Sequence, residues 1–438
     1  MSKSHSQYVC QQCGYSQVGW AGKCPNCGSW SSLVETVISS SISTRKNGST
    51  IKQLNNKPIS LSSIPSKSTL RISTKISELD RVLGGGLVPG QVVLLAGEPG
   101  IGKSTILLQL SDNLGNVLYV SGEESGRQIK IRADRLGIKS KGITLLEETD
   151  IDSVNQLIND SINQFSTVII DSIQTMTTSD LSGMAGSVGQ VRECTFRLVR
   201  LAKSKNIPVF LVGHVTKEGT VAGPAVLAHI VDTILWFEGD KTKVVRFLRA
   251  VKNRFGPTDE VGIFAMEETG LISMDNPQKL FLENGKKVAG SIVSSVMEGT
   301  RPLLIEVQSL VVPTKMPYPK RVAQGIDSKR FELLLAILTR RCGLPLGDFD
   351  CFVNVVGGVV VREPAIDLAV CLSLASSFLD KPIDNKTVAI GEVGLSGEIR
   401  GVVLQEKRIK EAKRLGFNNF ITNHEAEYLN QAIKILQK

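Results

Sequence analysis

At 438 residues the chain is long enough for about three domains, at ~100–200 residues each, and too long for one compact core. A hydrophobic share of 42% without any apolar run near the roughly 18–20 residues of a membrane span, and a start, MSKSHSQYVC, without an apolar signal core, argue against membrane insertion and secretion; a cytoplasmic location is the expectation. The formal net charge of +9 favours polyanionic partners, while diffuse positive charge also serves solubility.

Four of the eight cysteines open the chain as C-x2-C, ten residues, then C-x2-C: Cys10, Cys13, Cys24 and Cys27. Each pair aims two thiolates at one ion, and four soft ligands in a tetrahedron suit Zn2+. Gly14 and Gly28 follow the two pairs and permit the tight turns of such knuckles. A segment this small, residues 1–36, does not fold on apolar burial alone, so the metal is expected to be its core. A reducing cytoplasm argues against two disulfides, and four cysteines leave no open position for metal catalysis. Cys194, Cys342, Cys351 and Cys371 lie in apolar surroundings and read as small core residues. Residues 37–68, rich in Ser, Thr, Asn and Lys with no sustained period, read as a flexible linker.

QVVLLAGEPGIGKSTILLQL then gives an apolar strand, Gly97-x4-Gly102-Lys103-Ser104, and a helical pattern, the context that a P-loop requires. Gly97, Glu98, Pro99, Gly100, Ile101, Gly102, Lys103, Ser104 and Thr105 are therefore the expected ATP-binding residues. Backbone N–H groups at a helix start cradle phosphate, Lys103 adds a charge, and Ser104 offers an oxygen to Mg2+. Downstream, NVLYVS, ITLLEE, TVIID and IPVFLVGHV alternate with helical patterns, which predicts a parallel sheet with helical crossovers.

The ends of these strands carry the candidate chemistry. Asp171 closes TVII, where an acidic residue binds Mg2+ through water or else caps a helix. Glu123 in YVSGEES is the expected carboxylate for orienting and deprotonating the attacking water, with Glu124 the fallback and two solvated acids at a helix start the alternative. His214 ends a further strand, as a γ-phosphate sensor or as a satisfied core histidine. KNRFG, residues 252–256, lies between KVVRFLRAV and VGIFAME and reads as a hairpin tip displaying Lys252 and Arg254, unless it is only a solvated turn.

The order of LDRVLGGGLVPGQVVLLAGEPGIGKST, YVSGEES, VIIDSIQT, GHVTKEG and KNRFG behind a four-cysteine module resembles the bacterial RadA (Sms) family of DNA repair proteins over essentially the whole chain. The resemblance implies a RecA-like ATPase domain, residues 69–275. It implies an ATP-hydrolysing homohexameric ring that binds single-stranded and branched DNA and drives branch migration in recombinational repair, with a recombinase filament as a partner. In such rings nucleotide lies at the subunit boundary, so Arg254, planar and always charged, suits a neighbour's γ-phosphate; Lys252 would touch phosphates or DNA. TMTTSDLSGMAGSVGQ and TKEGTVAGPAVLAH fall where RecA-like folds carry DNA-binding loops, with Lys217 the phosphate contact of the second.

Residues 285–438 form a further α/β unit that resembles the proteolytic domain of the Lon protease, most clearly over GEVGLSGEIRGVVLQEKRIKEAKRLGF. That protease needs a serine and a lysine base. Here Ala365 stands at the nucleophile position and Glu406, or Gln405, at the lysine, so proteolytic activity is not expected. Lys407, Arg408, Lys410, Lys413 and Arg414 cluster on one predicted helix as a candidate duplex-DNA surface, with a solvated face the alternative.

Overall fold

The computed structural model describes residues 5–10, 15–30, 32–38, 60, 71–139, 141–161, 164–214, 224–239, 245–274, 288–316, 318–358 and 360–436. Two compact units divide at Met274 and Asp275.

At the N-terminus β1 (His5–Cys10), β2 (Ser16–Gln17) and β3 (Leu33–Ile38) form an antiparallel ribbon in the order β2-β1-β3. Val9 pairs with Ser16 on one side and with Val34 on the other. The last strand reaches Ile38, past the expected module end at residue 36, because its register with His5 extends the pairing. Most of the expected linker lies outside the described residues.

The nucleotide-binding core begins with α1 (Ser77–Leu83) and β4 (Val92–Gly97), followed by α2 (Lys103–Leu114), β5 (Val117–Ser121), α3 (Gly126–Arg135) and β6 (Ile143–Glu147). Then come α4 (Ile151–Asp160), β7 (Thr167–Asp171), α5 (Val188–Lys205), β8 (Val209–His214), α6 (Pro224–Leu227) and β9 (Thr233–Glu238). The strands β10 (Val245–Asn253), β11 (Val261–Glu267) and β12 (Gly270–Ser273) end the unit.

These strands make one nine-stranded sheet, β12-β11-β10-β9-β4-β8-β7-β5-β6. From β9 to β6 every pairing is parallel, and β10 to β12 extend the sheet as antiparallel hairpins. Strands buried on both faces read as continuous apolar runs, and β4, VVLLAG, is buried throughout. Its side chains alternate between two cores: Val93 and Leu95 join Tyr119 and Phe210 on one face, Leu94 and Ala96 join Val120 and Leu211 on the other. A side-chain cap sets the start of α4, where Asp150 accepts from the backbone N–H groups of Asp152 and Ser153.

The expected hairpin exists but its tip is displaced. Lys252 and Asn253 belong to β10, paired with Ile234 and Thr233 after a bulge, so the turn starts only at Arg254.

In the second unit β13 (Ser291–Glu298), β14 (Arg301–Pro313), β15 (Arg321–Gln324), β16 (Phe349–Val355), β17 (Thr387–Ala389) and β20 (Asn419–Ile421) build a mixed sheet, β15-β16-β14-β13-β17-β20; β18 (Glu392–Val393) and β19 (Ile399–Arg400) pair separately. Its helices are α7 (Ser328–Cys342), α8 (Asp367–Leu379), α9 (Gln405–Arg414) and α10 (Leu429–Leu436). Among the described residues no helix is long and apolar enough to cross a membrane.

Candidate nucleotide-binding site

Parallel pairing sets Gly97 beside His214 and Ser121 beside Asp171, so the carboxyl ends of β4, β8, β7 and β5 meet at one sheet edge. Ligands of open α/β sheets bind at this edge. The loop after β4 needs its glycines: Gly97, Gly100 and Gly102 have φ of 156°, 77° and 116°. A Cβ on Gly97 would sit 2.4 Å from Phe237 O, and one on Gly102 would sit 2.8 Å from Met266 Cε. Bare backbone N–H groups and the start of α2, with Ser104 and Thr105 in its first turn, form a cradle that fits phosphate.

Lys103 lies inside this loop, its ammonium donating to Gly97 O at 2.8 Å and Glu98 O at 2.9 Å. Burial is the main influence on it and lowers its pKa to about 8, with Asp171 and Glu123 pulling the other way. The lysine is thus held among carbonyls that a phosphate can replace.

Asp171 is buried at the end of β7, and Tyr119 on β5 donates its hydroxyl to Asp171 Oδ2 at 2.6 Å. Burial, with the Asp171 charge, holds the Tyr119 pKa well above its ordinary value, so it stays a donor. Glu123 accepts from the Ser172 hydroxyl and lies 3.3 Å from His214 Nε2, an ion-pair distance without hydrogen-bond alignment. The imidazole is the largest influence on Glu123 and, with Ser172 assisting against desolvation, lowers its carboxyl to about 2.

Glu124 points elsewhere, bound by Arg132, so of the two candidates Glu123 faces the site. His214 is only partly satisfied: Nε2 meets Glu123 alone, at 3.3 Å, and neither Nδ1 nor the neighbouring Gln174 Oε1 has a hydrogen-bond partner among the described residues. Such orphaned polar atoms beside the loop fit an absent polar ligand.

The KNRFG cations are anchored within the chain. Lys252 Nζ donates to Ala228 O and to Val231 O at 2.7 Å, while Arg254 Nη1 meets Asp232 Oδ1 at 3.1 Å. Asp232 is 2% exposed and its other oxygen accepts from Val92 N at the root of β4. The arginine side chain keeps 49% of its surface. Sequence reasoning missed Tyr119, Ser172 and Asp232; a polar residue inside an apolar strand was the available signal for Tyr119.

The first expected DNA loop is fastened, not loose: Gln190 donates to Thr178 O, Leu181 O and Gly183 O, and Arg197 binds Asp180. Lys217 and most of the second loop lie outside the described residues.

In the ribbon, the sulfurs of Cys10, Cys24 and Cys27 lie within 4.8 Å of one another, with Cys10 and Cys27 at 3.6 Å. Tetrahedral zinc with Zn–S of ~2.3 Å sets sulfurs about 3.8 Å apart, so the three thiols fit that ion. Cys13, the fourth expected ligand, lies outside the described residues.

In the second unit Ala365 is buried in a short turn, Gln405 is bonded to Asn423 and the Val402 N–H, and Glu406 is exposed. Arg408 corrects the expected DNA surface. It is 1% exposed and forks onto Glu363 at 2.9 and 2.6 Å, because it sits on the face of α9 that packs on the sheet. Arg414 is tied to Glu411, whereas Lys407, Lys410 and Lys413 are exposed.

A glycine cradle at a helix start, a lysine within it and a strand-end aspartate on a parallel sheet define a P-loop ATPase, here with a zinc ribbon ahead of it. Residues 60–220 match the family described as AAA domain, and residues 8–35 match the family described as Rubredoxin metal binding domain. The DNA repair protein RadA of Bacillus subtilis (strain 168) is 49% identical over 427 residues, 96% of this chain and 93% of that protein. That of Listeria monocytogenes serovar 1/2a is 49% identical over 421 residues, 95% of this chain and 91% of its own. The Streptococcus pyogenes serotype M6 protein of the same name is 48% identical over 95% of this chain and 92% of its own. The chain belongs to the RadA family of DNA repair proteins, with an ATP-hydrolysing core and a zinc-binding ribbon.

Proposed function

We propose that the chain is an ATP-driven DNA motor, a branch-migration helicase that encloses single-stranded DNA as a homohexameric ring during recombinational repair in the cytoplasm. The observation that carries this reading is the meeting of Lys103, Glu123, Asp171 and His214 at one sheet edge. Lys103 holds the β- and γ-phosphates of ATP, and Glu123 orients the attacking water. Ser104 and Asp171 would hold Mg2+, which would supply charge neutralisation for the phosphates. Glu123, weakly basic while His214 lies against it, gains basicity if the γ-phosphate draws His214 away.

Arg254 is the cation that reaches a neighbouring subunit's nucleotide, by leaving Asp232. Lys252 serves that loop from behind, because its ammonium is committed to the carbonyls after α6. DNA follows the loops after β7 and β8, Lys217 among them, while exposed Lys407, Lys410 and Lys413 suit duplex phosphates and a recombinase filament is the expected protein partner. Peptide hydrolysis is not part of the reading, since Ala365 offers no nucleophile. Steady-state ATP turnover measured with and without single-stranded DNA tests it. Stimulation by DNA supports the motor; a rate indifferent to DNA at saturating concentration contradicts it.

A further inference from the structure

We propose that Trp20 and Trp30 of the zinc ribbon form a stacking platform for the bases of single-stranded DNA. The inference rests on the DNA-motor reading only in taking DNA as the ligand.

The ribbon's own core is Cys10, Cys24 and Leu33 with Tyr8 and Ala21 against it, and neither indole belongs to it. Trp20 is 66% exposed and Trp30 73% exposed. Two large aromatics left in water on so small a module lose the burial that normally stabilises them, which marks a surface with a partner.

The two rings are neighbours. Both come within 4 Å of the point a Cβ on Gly22 would occupy, and glycine places no side chain between them. Their positions follow from the metal knuckle: Lys23 and Trp30 bridge as an antiparallel pair around it, and Cys24 N–H bonds Ser29 O at 2.9 Å inside that bridge. Zinc binding at the knuckle therefore orients Trp30.

Charge selects the ligand. Lys23 Nζ lies over one face of the Trp30 ring, 5.7 Å from its centre, and would turn from that face toward the phosphate when a base stacks there. Among the described ribbon residues the only acidic one is Glu35, which pairs with Tyr8 in the β1–β3 ladder and not with the Lys23–Trp30 bridge. Exposed aromatic faces beside a cation are the elements of sequence-tolerant single-strand binding. A protein-docking patch would need only the apolar area.

Tryptophan emission reads this contact directly, because Trp236, the third tryptophan, lies in β9 of the ATPase sheet. Zinc-loaded full chain, without nucleotide, is titrated with a thymidine 20-mer and with an abasic strand of equal length. The expected result is quenching by the 20-mer, and binding without quenching by the abasic strand. Trp20→Ala and Trp30→Ala should each weaken 20-mer binding about tenfold, as ~1–3 kcal/mol per stacked base implies, with Trp→Phe at either position recovering most of it. Zinc content of one per chain certifies that a variant is folded. Wild-type binding of the 20-mer without quenching, or a double alanine variant with unchanged affinity, overturns the platform and leaves the motor standing. Loss of a purified protein partner by that variant, with DNA affinity intact, reassigns the surface to protein docking. A wild-type chain that binds no strand at all overturns the DNA-motor reading itself.

Discussion

Tyr119 donates to Asp171 at 2.6 Å from the neighbouring strand, a buried hydroxyl fixing one oxygen of the carboxylate that faces the nucleotide edge. Tyr119→Phe removes that donor and almost no volume. Hydrogen bonds to charged groups contribute ~1.5–3 kcal/mol. The Mg2+ concentration for half-maximal ATP turnover should rise by about tenfold, while nucleotide binding in chelator stays unchanged. An unaltered Mg2+ dependence would show that Asp171 needs no such support.

Lys103→Ala should abolish ATP turnover, because the phosphates lose their one buried cationic partner in the loop. Turnover at the wild-type rate in that variant, followed by phosphate release, would end the P-loop assignment.

Zinc removal gives a thiol count. Burial pushes the Cys194 thiol to about 12 and that of Cys342 to about 11, and raises Cys351 and Cys371 as well. A raised thiol pKa means less thiolate, so near pH 8 these four stay protonated and slow to alkylate. Chelation should expose four fast-reacting thiols per chain, Cys10, Cys13, Cys24 and Cys27, counted by mass spectrometry. Fewer than four would break the ligand set.

In the second unit, Glu363→Ala removes the counter-ion of Arg408, which is 1% exposed and would keep only its bonds to Val403 O and Ser295 O. Breaking a buried pair costs ~3–5 kcal/mol, and the lower end applies because the Glu363 side chain is 27% exposed. Denaturant unfolding should show that loss. A cost below about 1 kcal/mol would mean that water already reaches Arg408.

Arg254→Ala should keep nucleotide binding and lose turnover. Mixing it with Lys103→Ala chains should restore some activity at boundaries that pair an intact P-loop with an intact arginine. Verified mixed rings without recovery would confine Arg254 to its contact with Asp232.

What sequence could reveal followed the range of the interaction. The P-loop was legible because its glycines, lysine and serine act within one turn, and the core strands because burial on both faces writes continuous apolar runs. Asp232 was hidden because its partners, Val92 at the start of β4 and Arg254 in the turn after β10, are far from it in sequence. The end of β10 was misplaced because pairing with Ile234 and Thr233, not local turn chemistry, carries it through Asn253. Arg408 was misread because charge on a helix does not say which face the sheet covers.

The motor reading meets its most direct test in displacement of a labelled strand from a three-stranded junction, with wild-type chain and Lys103→Ala side by side. The account predicts displacement that requires hydrolysable ATP and is absent in the variant. Wild-type chain that hydrolyses ATP on the junction and releases it, without displacing the strand, would contradict the motor and describe a nucleotide-gated clamp.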